Sequence, residues 1–285
     1  METKSNHQKL ETCLNCNNTF VGKFCNVCGQ KAYTSHDKKV GTLLHDVFHF
    51  ITHIEGNIAT TLKYIFLKPG VFSKEYCEGK KKKFFKPVSM YLIIIVLYLI
   101  FPFFKGLNMN FSTYINQKYD YSNYATPIVK GKLENKNYSI EQLAKQYDKT
   151  SEKLSKIYLI LLIPLSACAL KLLFWKKNFY FYDHSIYATE FSSFFVGLNF
   201  LIVPLIVFII SRIFPSSLAF FDDSNAWFGT IIHLVVFYGI FAGLKTFYSQ
   251  KWYYILIKSF VFYLSFLLII DLYKLLLFIS VMAVI

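Results

Sequence analysis

Residues 80–101, KKKKFFKPVSMYLIIIVLYLIF, decide the fold class. Five lysines and two phenylalanines give way, across one proline, to an unbroken apolar run. Such a run has no polar face to show to water, and its length suits a bilayer better than a globular interior. Four more apolar stretches follow. The spans are read at 88–104, 157–175, 186–210, 226–244 and 254–283, with Pro164 inside the second and Pro204 inside the third. Proline is tolerated there because neighbouring helices can satisfy the carbonyl it frees. Composition agrees, with 54% apolar and 19% aromatic residues against 17% charged, which excludes an ordinary soluble domain. The chain reads as an all-α integral membrane protein of about five transmembrane helices.

Lysine placement gives an orientation. Lys80 to Lys83 and Lys86 precede the first span, Lys176 and Lys177 separate the second from the third, and Lys245 and Lys251 separate the last two. The loop between spans three and four sets Arg212 against Asp222 and Asp223. The positive-inside rule then puts the N-terminus in the cytosol and the C-terminus outside. The outside loop, 105–156, carries nine lysines, but the rule weakens for long loops. Trp175, Trp227 and Trp252 fall at span ends, as an aromatic belt requires. The polar start, METKSNHQKLETC, has no apolar core, so no cleavable signal peptide is expected. Within the outside loop, Ser139 and Gln142 have capping-box spacing and predict a helix running into the second span. Residues 119–137 predict irregular chain or a short hairpin.

Residues 1–32 carry the one specific motif. Cys13, Cys16, Cys25 and Cys28 form C-x2-C-x8-C-x2-C, and two CxxC turns present four thiolates in the tetrahedral arrangement that zinc prefers. The eight residues between them, NNTFVGKF, predict a β-hairpin with Gly22 at the turn. So small a unit has no core of its own, and a structural zinc would supply about 10 kcal/mol or more of its folding free energy. Iron on the same ligands is the alternative, and a redox CxxC ranks third because no βαβ pattern surrounds it. A closed four-thiolate site leaves no open position for catalysis. Cys77 and Cys168 stand far apart and read as packing residues.

Residues 38–87 read as an amphipathic juxtamembrane segment. Leu44, Val47, Ile51, Ile54, Ile58, Leu62 and Ile65 share one helical face. His45, His49 and His53 make an i, i+4, i+8 stripe nearly opposite, either a second metal or pH-sensing site or a solvated, headgroup-facing edge. Pro69-Gly70 stops the helix. Lys80, Lys81, Lys82, Lys83 and Lys86, interleaved with Phe84 and Phe85, read as contacts to anionic headgroups. So close to a span, that reading is more economical than nucleic acid.

The order of a ribbon ending CGQKA, then TLKYIFLKPG, then EYCEGKKKKFFKPVSMYL resembles a bacterial family catalogued as domain of unknown function 3667. The matching positions are Thr61, Leu62, Pro69 and Gly70, then Tyr76, Gly79, Lys80, Phe84 and Pro87. Lys81 stands where arginine is usual and Phe84 where tyrosine is. The segment FYDHSIYATEFSSF is similar to the family's Y-x-E-H segment, with Asp183 in place of glutamate. The resemblance implies a multi-pass protein of the bacterial inner membrane and carries no activity with it.

Among ionisable groups inside spans, Lys171 and Lys258 lie near cytosolic ends and should snorkel. His233, Asp271 and Lys274 lie deeper. Asp271 and Lys274, one helical step apart, form either an internally neutralised pair or part of a proton or ion relay with His233. No HExxH, GxSxG or P-loop is present, so the sequence leans away from an enzyme. The preferred function is an interaction or regulatory membrane protein whose cytosolic zinc ribbon docks a protein partner. The alternative is a small-solute or ion transporter using the in-membrane ionisable residues.

Overall fold

The computed structural model describes residues 10–32, 57–100, 107–116, 121–136, 139–176, 178–214, 221 and 226–285. Two short strands, β1 (Leu10–Thr12) and β2 (Thr19–Val21), open the chain. Helices α1 (Ile58–Leu67) and α2 (Val71–Cys77) follow, joined at Lys68-Pro69-Gly70, and a 3₁₀ turn over Lys81–Lys83 leads into α3 (Pro87–Ile100). Then come α4 (Phe111–Ile115), α5 (Ser122–Lys136), α6 (Ile140–Tyr158) and α7 (Leu162–Leu173), with α6 and α7 joined through a 3₁₀ turn. Helix α8 (Phe181–Gly197) passes through a π turn, Leu198–Ile202, into α9 (Val203–Ile213). The chain closes on α10 (Ala226–Tyr248) and α11 (Trp252–Val284).

Five of these stretches are long and apolar enough to cross a membrane: Lys81–Ile100, Ile140–Leu173, Phe181–Ile213, Trp227–Tyr248 and Trp252–Val284. Their outer surfaces expose Leu205, Ile206, Phe208 and Ile209 on α9 and Leu256, Ile257, Phe260 and Val261 on α11. A water-soluble domain would not leave such contiguous apolar faces bare, whereas a bilayer solvates them. Trp175, Trp227 and Trp252 are 70%, 74% and 60% exposed at the span ends, the depth at which headgroups lie.

Helix α8 is the axis of the bundle. All but its first residue are buried, and α1, α2, α3, α7 and α10 pack around it. Phe191 and Phe195 each meet Phe266 of α11 edge-on at 4.8 Å. The two irregular turns have identifiable causes. Pro204 has no N–H to give its i−4 carbonyl, and the helix widens into the π turn just before it. At that turn Asn199 donates its side-chain amide to the Phe195 carbonyl at 2.8 Å. In the α6–α7 junction, ahead of Pro164, Tyr91 donates to the Leu159 carbonyl at 2.8 Å and Tyr273 to Ser155 at 2.7 Å.

Two expectations change here. Residues 119–137 contain a helix, α5, rather than irregular chain or a hairpin: Ala125 and Val129, one turn apart, are buried where α5 meets α4 and α11. The expected hairpin between the cysteine pairs, with its turn at Gly22, is also replaced. Strand β2 pairs backwards with β1, in the register Leu10↔Val21 and Thr12↔Thr19, and Phe24 bridges forwards to Lys31. Each CxxC turn is therefore itself a hairpin turn, and Gly22, at φ +110°, links the two. The capping box at Ser139 forms as its spacing predicts, with the Gln142 amide donating to Ser139 Oγ at 3.2 Å and the Ser139 amide to Gln142 Oε1 at 3.1 Å.

Candidate functional site

The two cysteine turns are built alike. After Cys13, the Asn17 amide returns to the Cys13 carbonyl and the Cys13 amide donates to Asn18, both at 2.8 Å. After Cys25, Gly29 and Gln30 play the same parts at the same distances. Asn17 (φ 59°) and Gly29 (φ 68°) occupy the equivalent left-handed position, one that Asn and Gly tolerate best. The turns bring all four sulfurs within 4.8 Å of one another, with Cys13–Cys28 at 3.5 Å and Cys16–Cys25 at 3.6 Å. A tetrahedron with metal–sulfur arms of about 2.3 Å has edges of about 3.8 Å, so the cage has the size of a metal site. The separations are far beyond a disulfide bond, and the four thiols are free. The Cys28 amide, pointing at Cys25 Sγ, is the main influence drawing that thiol down to about 6; burial opposes it and the Val27 amide reinforces it. Against the pull of the Asn18 amide, burial and the neighbouring thiols push Cys16 up to about 12, so the four sulfurs share their protons unevenly until a metal displaces them. Beside the cage, Cys13, Phe20 and Cys25 are the only buried apolar residues of the described ribbon, so the four thiolates have little core to lean on.

Gln30 and Leu14 of the ribbon reach the membrane-proximal turn. Gln30, 5% exposed, donates its side-chain amide to the Gly79 carbonyl at 2.5 Å and accepts from the Lys82 amide at 3.1 Å. Leu14 lies against Gly79, whose φ of +106° and lack of a Cβ allow the approach. From the other side, Asn57 donates to the Lys82 carbonyl at 2.9 Å and Thr61 Oγ1 accepts from the Phe85 amide at 2.8 Å. Several of the expected headgroup lysines are engaged internally. Lys80 and Lys83 pair with Glu75 at 3.4 and 2.5 Å, and Lys81 lies 5.8 Å from the rings of Tyr76 and Tyr182. Burial works to raise the Glu75 carboxyl, but the Lys83 ammonium, by hydrogen bond and charge, holds it below its ordinary range.

Sequence reasoning placed Glu190 among the ionisable groups at the cytosolic start of the third span but gave it neither role nor partner. Glu190 of α8 is buried and accepts from the Gly70 amide at 2.7 Å, the Ser73 amide at 2.9 Å and the Ser73 hydroxyl. It satisfies the opening amides of α2, which the Pro69-Gly70 turn leaves without helical partners. A Cβ at Gly70 would strike the carbonyl of Gly243, and one at Gly243 would strike the Tyr187 hydroxyl, so the turn seats backbone against backbone. The signal available in the sequence was a Pro-Gly stop followed by a helix with no acidic residue in its first turn. Nearby, His184 Nδ1 meets the Tyr248 hydroxyl at 2.6 Å, and Tyr248 stacks on Phe174 at 3.5 Å.

The remaining expected site residues do not converge. His45, His49 and His53 lie outside the described residues. His233 pairs with Tyr263 at 3.0 Å, whereas Asp271 accepts from Tyr121 at 2.7 Å and lies 3.8 Å from Lys274. Tyr263 and Asp271 are separated by about 12 Å along α11, so no His233–Asp271 relay is assembled. Asp271 and Lys274 serve instead to tie α11 to the 105–156 region, where Tyr114 donates to the Lys274 carbonyl at 3.1 Å. Lys171 donates to the Phe179 carbonyl, and Lys258 lies 4.1 Å over the Phe174 ring and bonds Gln250.

Five membrane-length helices and a four-cysteine cage define a multi-span membrane protein with a possible metal site. The model of a family described as "Protein of unknown function (DUF3667)" matches residues 55–99, which comprise α1, α2, the lysine turn and most of α3. That stretch holds the motif positions Thr61 to Pro87 that carry the family resemblance; the ribbon lies outside it. No curated protein and no solved structure matches the chain.

Proposed function

We propose that this chain is an interaction or regulatory protein of the bacterial inner membrane, its N-terminal ribbon cytosolic, bound to structural zinc and docking a protein partner. The observation that carries the reading is the apolar surface the ribbon leaves exposed. Gln30 is buried against the chain's own lysine turn, and Leu14 touches that turn while staying 41% exposed. The cross-strand pair Leu10 and Val21, at 69% and 43%, and Phe24 and Val27, at 61% and 68%, are exposed as well, beside the exposed Lys23. So many bare apolar side chains on a module of this size fit a protein surface that is apolar with an acidic rim. The closed four-thiolate cage suits structural zinc, with iron on the same ligands as the competing outcome of metal analysis. The transport alternative gains no support, since its two proposed groups have separate partners.

The test is site-specific photo-crosslinking in cells, with the reactive side chain placed at Phe24 or at Leu14. The proposal expects one discrete heterologous protein adduct from Phe24, lost when Val27→Glu is added, and only intramolecular product from Leu14. Adducts at Phe24 confined to lipid, or to a second copy of the chain, would overturn partner docking. Zinc below one equivalent per purified chain would overturn the metal assignment.

A further inference from the structure

The outward face of the ribbon is where a partner would sit; the inward face holds something already. Gln30 follows the last cysteine turn, and its backbone carbonyl is fixed by the Cys25 amide at 2.8 Å. Its side-chain amide then spans the lysine turn, giving a proton to Gly79 and taking one from Lys82. Both hydrogen-bonding sides of one primary amide are thus used on a peptide turn 49 residues or more away in sequence. Leu14, one residue past Cys13, fills the space over Gly79. The two residues that reach the turn are both positioned by cysteine turns.

We infer that the ribbon is a metal-dependent clasp on its own chain: loading the four cysteines holds residues 79–82, and emptying them lets that turn go. The inference rests on the zinc reading above. The physical reason is that the ribbon has little else to fold around. With its buried apolar set reduced to Cys13, Phe20 and Cys25 among the described residues, metal removal unfolds it, and an unfolded ribbon cannot present Gln30 in a fixed orientation. The released turn is the one that leads into α3, so the metal state reaches the first span through the backbone. Asn57 and Thr61 grip the same turn from α1 independently of the metal, and these contacts persist. The device therefore loosens one side of the turn and leaves the other anchored. Metal scarcity in the cell would act on it, since it leaves the cage empty and the ribbon without its folding ligand.

The experiment is hydrogen exchange with mass-spectrometric readout on the full-length protein in detergent, resolving the Lys82 and Phe85 amides, with zinc measured on each sample. Zinc-loaded wild type should protect both. Gln30→Ala should keep one zinc per chain and speed exchange at Lys82 by about tenfold or more, with Phe85, held by Thr61, unchanged. Cys25→Ser should lose the zinc and reproduce the same pattern. Gln30→Glu, which keeps the acceptor for the Lys82 amide, should change it less. Stoichiometric zinc in wild type, with Lys82 still protected in a Cys25→Ser variant that has lost its zinc, would sink the clasp and leave the zinc reading standing. Unaltered protection in Gln30→Ala would do the same. A wild-type protein without metal would overturn the zinc reading and the clasp with it.

Discussion

Removing the Glu190 carboxylate is the sharpest test of how α1 and α2 are held. In Glu190→Ala, the Gly70 amide, the Ser73 amide and the Ser73 hydroxyl lose their acceptor in a buried position. Each orphaned buried donor costs about 1–3 kcal/mol, and the hydroxyl can turn elsewhere, so two amides set a loss of about 2–6 kcal/mol. Glu190→Gln keeps one acceptor oxygen but sets an NH₂ group against one of the two amides, for a loss of about 1–3 kcal/mol. At about 2 °C per kcal/mol for a chain of this size, alanine should lower the melting temperature by about 4–12 °C and glutamine by about 2–6 °C. Unfolding of membrane proteins in detergent is commonly irreversible, so all variants are scanned at one rate and compared by rank. Hydrogen exchange at Gly70 and Ser73 supplies the local readout, and Ser265→Ala, on an exposed part of α11, serves as the control. An alanine variant that melts with the control and keeps both amides protected would refute the view that this carboxylate anchors the turn.

Other expectations follow from single contacts. Gly70→Ala puts a Cβ into the Gly243 carbonyl at a φ of +81° and should destabilise by about 2–4 kcal/mol, read as a lower melting temperature. Tyr91→Phe leaves the Leu159 carbonyl of the α6–α7 junction without its donor and should cost about 1–2 kcal/mol in the same assay. The Glu75 carboxyl ionises at lower pH in the folded chain than its ordinary value of 4.5, so its pairing with Lys83 stabilises above that value and is lost as pH falls through the lower, folded one. Exchange at the lysine turn should accordingly rise in that acid window in wild type and show no such step in Glu75→Gln. Cys16→Ser should abolish zinc binding while leaving the far-ultraviolet helical signal within about 5% of wild type, because the ribbon contributes no helix.

The parts of this fold legible in the sequence are those written in local pattern. Apolar runs mark the five spans because a bilayer demands an uninterrupted outer surface, and cysteine spacing marks the cage because a CxxC turn is complete within a few residues. The two long helices were legible as well, one from its capping box at Ser139 and the other read at 254–283 against Trp252–Val284. Their length has a reason the sequence does not show: α4, α6 and α11 bury Phe111, Tyr114, Tyr147 and Phe278 together. Helix α5, polar and interrupted by Pro127, forms in that company rather than by propensity. The hairpin was misplaced because the residues between the cysteine pairs were read as one unit, when each half belongs to the turn beside it. Glu190 stood out in the sequence only as a charge near a span end, and Gln30 did not stand out at all. Their partners lie 117 or 120 and 49 or 52 positions away, and no local pattern encodes such pairings.

Those two residues bear on the same short stretch. Glu190 fixes the start of α2, Gln30 fixes the turn after it, and between them Glu75 ties that helix to Lys80 and Lys83. The family match, residues 55–99, falls on this stretch and not on the ribbon or on α8. A segment bound at both ends by distant parts of the chain is poorly suited to local unfolding as a working motion, because each fastening raises its opening free energy. Change is more readily made by releasing one fastening whole. Of the two, Glu190 lies within the bundle, where nothing ligating is brought beside it among the described residues. Gln30 is carried on a module whose folding depends on a metal, and so it is the fastening through which a change of conditions can act.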